Sequence, residues 1–266
     1  MRLTISHTTS YHYDAPVPYA LQQLRLRPKS RETQEILSWE IGIEGGTRQV
    51  SFEDEHANHV DLVSFEPGVQ DIVIQCRGEV EVTDTHGIVG RHTGFAPLWL
   101  FQRATPLTRA GSQVRSLVAS LPEREGNGLP QLHALSEHVL ERLPYSTDQD
   151  SAELSAEQVL TTGHAVCQDH AHVFIAAARH LGFPARYVSG YLMMNDRIDQ
   201  DATHAWAEAH VDGLGWVGFD VSNGISPDAR YVRVATALDY LGAAPVSGIR
   251  FGQASEDMRV RLQVEQ

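Results

Sequence analysis

The sequence predicts an α+β fold: a central helix packed on an antiparallel sheet, preceded by an all-β N-terminal domain. Three observations carry this. Residues 1–85 form a succession of short alternating runs separated by turn residues, the pattern of an antiparallel β-sandwich or small barrel. Cys167, Ala171, Phe174, Ala178 and Leu181 recur at helical period as an apolar, Ala-rich stripe, so this helix is central and closely packed. Thr203–Val211 alternates large or polar side chains with small ones, and Trp216–Asp220 returns after the turn signal Asp212-Gly213-Leu214-Gly215, which makes a hairpin.

In chain order, the predicted N-terminal strands are Leu3–Tyr13, Leu21–Arg27, Ile36–Ile43, Arg48–Glu53, His59–Phe65 and Asp71–Thr83. His7, His12, His56 and His59 are scattered without ligand spacing and read as surface or rim histidines. Cys76 sits in the alternating run Val73–Arg77 and reads as a structural thiol. A domain boundary is placed after residue 88, giving a β-sandwich-like domain over 1–88 and a second domain over 89–266. The connection Gly87–Thr105 carries Phe95, Leu98, Trp99, Leu100 and Phe101. It is too apolar for a free linker and is expected to pack between the domains or against the core.

Helices are predicted at Ser112–Leu121 and Leu129–Arg142, broken by Gly126-Asn127-Gly128 and closed by Pro144. Ser155-Ala156-Glu157-Gln158 has capping-box spacing and opens a short helix to Leu160. Gly163 ends what precedes the central helix, and Gly182 with Phe183-Pro184 ends the helix itself. Ala185–Leu192 reads as a strand. Met193–Ala202 reads as a polar loop whose Asp196, Asp199 and Asp201 lack the Gly and terminal Glu of a calcium loop. Tyr231–Ala235, Gly248–Phe251 and Met258–Val264 are expected to complete the sheet.

The chain has 266 residues, enough for one large or two modest domains. Its 21 Lys and Arg against 34 Asp and Glu give a net charge of −13, which argues against nucleic acid and anionic membrane as partners. Its first residues alternate like a strand rather than forming the apolar run of a signal peptide. The 2 cysteines make no disulfide framework. Together these features lead us to expect a soluble cytoplasmic protein with reduced thiols.

Cys167 falls in the first turn of the predicted central helix, where unpaired N–H groups and the helix dipole favour an anion, and the thiolate is the reactive form of cysteine. A nucleophile of this kind needs a base and an orienting group. The hairpin brings His204 and Asp220 near each other on adjacent strands, on one face if the loop has an odd number of residues. Trp206, on the same face as His204, reads as a packing residue. Glu208, also on that face, reads as a supporting carboxylate or an ion-pair partner. Asp169 is expected to cap backbone amides or to pair with Arg186. An oxyanion donor is expected from the Cys167 backbone N–H, with Gln168 or Tyr145 as the candidate side chains. A zinc reading of His164, Cys167, His170 and His172 finds no second cysteine and no common ligand spacing, so neither a metal nor a cofactor is called for.

Gly163–Gly190, His204-Ala205-Trp206-Ala207-Glu208 and Gly213–Asp220 together resemble the transglutaminase-like superfamily. More narrowly, they resemble its bacterial branch of two-domain candidate cysteine peptidases, and the likeness covers most of residues 100–250. The resemblance implies a papain-like core and a β-rich N-terminal domain. It also implies a Cys-His-Asp site on Cys167, His204 and Asp220. The chain has Ala165 where the family commonly has Gly, two residues before the nucleophile. The implied chemistry is amide-bond cleavage through a thioester acyl-enzyme. The expected outcome is hydrolysis of a peptide or carboxamide, with acyl transfer to an amine as the alternative. A non-catalytic binding module is a third reading, and the filling of all three reactive positions argues against it.

Overall fold

The computed structural model describes residues 1–122, 128–146 and 153–266. The strands before the first helix are β1 (Arg2–Val17), β2 (Tyr19–Leu24), β3 (Gln34–Glu44), β4 (Gly46–Glu53), β5 (His59–Phe65), β6 (Val69–Val82) and β7 (Ile88–Gly90). Helices α1 (Ser112–Ala119), α2 (Leu129–Arg142), α3 (Ala156–Thr162) and α4 (Cys167–His180) follow. Strands β8 (Ala185–Leu192), β9 (Asp199–Gln200), β10 (His204–Val211), β11 (Gly215–Phe219) and β12 (Tyr231–Ala237) lead to the short α5 (Tyr240–Ala243) and to β13 (Val246–Phe251) and β14 (Glu256–Glu265). They form three sheets, ordered β3-β6-β1-β14-β9, β13-β2-β5-β4 and β12-β8-β10-β11-β7. The result is an α+β protein with a β-rich N-terminal region. The predicted break at Gly126-Asn127 lies outside the described residues.

The alternation of β1 sends Leu3, Ile5, Tyr11 and Tyr13 inward against Ile72, Ile74, Cys76 and Val80 of β6, all buried. His7 shares that inward parity. It is buried, not at a rim: Nδ1 lies 3.0 Å from the Tyr191 hydroxyl and Nε2 3.1 Å from Thr9 Oγ1. Burial lowers its pKa to about 4, so the ring is neutral. His12 and His59 are exposed and His56 is half-buried. The same core takes in Tyr191 of β8 and Val232 and Val234 of β12, so the N-terminal sheets and the third sheet share buried contacts.

Of the C-terminal strands, β12 joins the third sheet as expected, but β13 and β14 do not. β14 pairs with β1 from Thr4↔Glu265 to Tyr13↔Glu256, and β13 pairs with β2. An alternating run shows that a strand has one buried face but not which edge it covers. Here β14 covers the edge of a 16-residue strand that β6 leaves unpaired. The loop after β8 departs from the prediction in the same way, since Asp199 and Gln200 extend this sheet beyond β14.

The connection after β6 divides. β7 adds to β11, and the 3-10 turn Leu98–Gln102 buries Phe101 against Trp216, with ring centroids 5.1 Å apart. Phe95 and Trp99 face solvent rather than packing between the parts of the molecule.

Helix α4 fills the centre of the helical layer. Val173, Phe174, Ile175, Ala177 and Ala178 have no solvent exposure. The small Ala side chains let α4 pack closely among α1, α2, α3 and β10. Phe174 stacks on Phe219 of β11 at 4.9 Å, a ring whose truncation in such a core costs roughly 3–5 kcal/mol. The Ser155 capping box forms as predicted, with Ser155 N donating to Gln158 Oε1 at 2.9 Å. Glu157 in turn accepts the N–H groups of Gly111, Gln113 and Val114, satisfying the start of α1.

Candidate active site

Cys167 is the first residue of α4 and is half-buried. The segment before it is pinned, because Ala165 donates to Pro144 O at 3.2 Å and accepts from Ser146 N at 3.0 Å. Ala165 is an extended bridge residue opposite Tyr145 and does not have a positive φ, so this backbone position does not require glycine. The Asp169 carboxylate accepts the Val166 N–H at 3.2 Å. It caps α4 and does not pair with Arg186.

The hairpin register sets the other two residues. Val211 pairs with Gly215 and Ala207 with Phe219, which leaves the three-residue loop Asp212-Gly213-Leu214, with Gly213 at φ +83°. The odd loop puts Asp220 on the face of His204 and Trp206. His204 Nε2 lies 2.6 Å from Asp220 Oδ2, so this nitrogen donates and Nδ1 is the ring nitrogen left for the thiol.

Asp220 is fully buried and accepts three further hydrogen bonds: from the Tyr231 hydroxyl at 2.7 Å, from Asn223 Nδ2 at 2.7 Å and from Asn223 N at 3.2 Å. Burial pushes its carboxyl pKa up, but the bonds from His204, Asn223 and Tyr231 and the His204 charge outweigh this and hold it below the usual value. Burial likewise opposes protonation of His204. The Asp220 hydrogen bond and carboxylate charge and the nearby Cys167 side chain prevail, raising the ring to about 10. Trp206 lies over the imidazole at 6.2 Å and 28°, and Tyr231 meets Trp206 edge-on at 5.4 Å.

A raised histidine pKa adds stability that is fully present below the unfolded value near 6.5 and is lost as pH rises through about 10. Thermal unfolding should therefore show a fall in Tm across that window. The fall should be shallower in Asp220→Asn, which removes the partner charge. Equal slopes in the two proteins would place the alkaline titration elsewhere.

The two thiols differ in the same physical sense. Cys76 has no solvent exposure, and burial pushes its thiol up to about 12, whereas Cys167 borders the His204 ring. Iodoacetamide should alkylate Cys167 much faster than Cys76, read by peptide mass mapping of the folded protein. Equal or reversed labelling counts against Cys167 as the nucleophile.

The remaining sequence candidates separate. Tyr145 is half-exposed, bridges Ala165 two residues before Cys167 and lies 6.3 Å from the His170 ring. Gln168 is half-buried, directly after Cys167 in the first turn. Glu208 lies four residues along β10 from His204 and pairs with arginines instead: Arg186 Nε at 2.6 Å and Arg233 Nε at 2.6 Å. His170 is engaged by Ser222 and by Leu143 O, and His172 Nε2 accepts the Tyr240 N–H. No group of three or more His, Cys, Asp or Glu side chains among the described residues could hold a metal ion. Sequence reasoning missed Tyr231 and Asn223. The spacing Asp220-Val221-Ser222-Asn223, an Asp opening a turn, was a signal for the second.

Residues 115–221 match the family model of the transglutaminase-like superfamily, and residues 3–81 match that of the bacterial transglutaminase-like N-terminal region. The chain therefore carries a transglutaminase-like core preceded by a bacterial transglutaminase-like N-terminal region. It is 25% identical to an uncharacterized protein of Mycobacterium leprae over 99% of this chain and 98% of that one. It is 28% identical to a protein-glutamine gamma-glutamyltransferase of Pseudomonas aeruginosa over 56% of this chain, but spans only 22% of that protein. The crystal structure of a candidate cysteine protease from Cytophaga hutchinsonii has the same fold. It superposes with a TM-score of 0.79 at 19% identity, covering 100% of this chain and 91% of that one. No helix among the described residues is long and apolar enough to cross a membrane.

Proposed function

We propose that the chain is a thiol-dependent amide-bond enzyme whose catalytic residues are Cys167, His204 and Asp220. The observation that carries this is the 2.6 Å contact of His204 Nε2 with buried Asp220, with Cys167 acting on the same ring. Cys167 Sγ attacks the carbonyl carbon of a peptide or carboxamide, its proton carried on His204 Nδ1, as the raised pKa of that ring favours. Asp220 holds the tautomer and stabilises the imidazolium. The Cys167 N–H, at a helix start with no intrahelical acceptor, faces the developing oxyanion, and Tyr145 or Gln168 is the candidate second donor. The C–N bond breaks as His204 returns the proton to the leaving amine, which leaves a thioester on Cys167. Water attacks the thioester and gives a proton to His204, the C–S bond breaks to return the Cys167 sulfur beside the protonated ring, and the product leaves as a carboxylate.

No step calls for a metal or a cofactor. All three residues lie in the 89–266 part. The 1–88 part supports the catalytic sheet through the core it shares with Tyr191, Val232 and Val234. The substrate class is peptide or protein, and the net charge of −13 disfavours nucleic acid and anionic membrane.

Hydrolysis is the favoured outcome because water is abundant and amine capture needs a dedicated acceptor site. The Pseudomonas relative's description as a protein-glutamine gamma-glutamyltransferase supports acyl transfer as the second reading. A mass-spectrometric screen of peptides and glutamine-containing substrates with a trapping amine separates the two. Carboxylate products dependent on Cys167 support hydrolysis, and amine adducts dependent on Cys167 support transfer. Turnover that persists in Cys167→Ala sinks the assignment.

A further inference from the structure

A cavity of about 60 Å³ lies between the β2–β3 and β6–β7 connections on one side and β10 and β12 on the other. Its wall includes Arg31, Gln34, Trp206, Glu208, Tyr231 and Arg233, but neither Cys167 nor His204. That volume exceeds what one water needs and admits a small ion.

The charges around it do not balance. Glu208 Oε1 accepts Arg233 Nε at 2.6 Å, and its Oε2 accepts Arg186 Nε at 2.6 Å and Arg233 Nη2 at 2.9 Å. Both carboxylate oxygens are thereby used. Arg233 Nη1 and Arg186 Nη2 remain buried without a hydrogen-bond partner, the Arg186 guanidinium packs over the Trp216 ring at 3.7 Å, and Arg233 is only 7% exposed. Arg31 adds a third guanidinium, which makes no hydrogen bond or ion pair among the described residues and feels the repulsion of Arg233. Three guanidiniums against one carboxylate leave 3 − 1 = +2.

The other charged groups nearby do not correct this. Asp54 pairs with Arg25 at 3.4 Å, and Asp228, also on the wall, pairs with Arg230 at 2.7 Å. Lys29 donates to His56 O and Thr236 Oγ1. Burial and the three arginines push its pKa down to about 6, so it is mostly neutral at pH 7.

We propose that this cavity is a binding site for a small oxyanion, a carboxylate or a phosphate group, held by Arg31 and by the free Nη1 of Arg233. The planar guanidinium fork matches both kinds of oxyanion. The bound group sits against Trp206 and Tyr231, the residues that contact His204 and Asp220, and ties the N-terminal loops to β10 and β12. This site is separate from the proposed chemistry at Cys167, and its test does not use activity.

The experiment is isothermal titration of the full chain with inorganic phosphate and, separately, with acetate, at fixed ionic strength in chloride, alongside thermal unfolding. Saturable binding with a matching rise in Tm is expected for at least one of them, and which one binds distinguishes a tetrahedral from a planar ligand. Arg31→Gln should weaken that binding at least tenfold without lowering the Tm measured in chloride alone, because it also relieves repulsion. Arg31→Lys keeps the charge but not the fork and should fall between the two. No saturable binding by either anion, or equal affinity in wild type and Arg31→Gln, overturns the proposal and leaves a water-filled cavity.

Discussion

Cys167→Ala is expected to reduce amide turnover to background, because it removes the atom that becomes acylated. His204→Ala should lose nearly as much, since the thiol then has no base and the leaving amine no acid. Asp220→Asn should retain a residue of activity. The amide can still contact Nε2 but can no longer stabilise an imidazolium or enforce the tautomer that presents Nδ1 to the thiol. A fall of roughly 10²–10⁴ is the scale for orienting carboxylates. Tyr231→Phe should lose less, because Asp220 keeps the two Asn223 bonds and His204. The three reactive residues act as a unit, so Cys167→Ala combined with Asp220→Asn should be no worse than Cys167→Ala alone. The measurement is a kinetic comparison of purified, folded variants on the substrate that the screen identifies. If Asp220→Asn matched wild type, the 2.6 Å contact would be structural and the orienting role would have to lie elsewhere.

Periodicity located most of the N-terminal strands, the central helix and the hairpin, because each of these has a buried face and its alternation is written in residue type, whereas β4 is exposed almost throughout. The turn signal Asp212-Gly213-Leu214-Gly215 located the hairpin but left its register open to the loop length, and the three-residue loop places Asp220 beside His204. Partner choice was not legible. Met258–Val264 alternates equally well for either sheet, and only the assembled molecule shows that β1 has the open edge. The outward turn of Phe95 and Trp99 was hidden for a related reason: apolar residues without a period carry no direction. Within the site, the reacting residues were readable from type and order. Tyr231 was not, because it lies eleven residues beyond Asp220 and meets it through a strand on the far side of β8. Glu208 shows the same limit. Its parity with His204 was correct, but the arginines that claim it come from β8 and β12.

Glu208→Gln is expected to destabilise the protein strongly. Glu208 has no solvent exposure and answers the charges of Arg186 and Arg233, which are themselves buried. Desolvation alone would raise its pKa, yet the arginines hold it far below the usual carboxylate range, so it is ionised wherever the protein is folded. Removing the charge leaves two buried guanidiniums without their carboxylate, a change that typically costs about 3–5 kcal/mol. For a chain of this size that corresponds to a fall in Tm of roughly 10 °C. The depressed pKa also sets the pH dependence. The contribution is fully present above the ordinary carboxylate value and is lost as pH falls toward the folded one. The deficit of Glu208→Gln against wild type should therefore be flat from about pH 6 to 8 and should narrow in acid. Because breaking an ion cluster differs from replacing it, Glu208→Leu with Arg186→Met and Arg233→Met should recover much of the loss. Thermal unfolding of the single and triple variants across pH is the measurement. A Glu208→Gln protein with wild-type Tm but no activity would show that the carboxylate acts on His204 along the strand and not on the arginines.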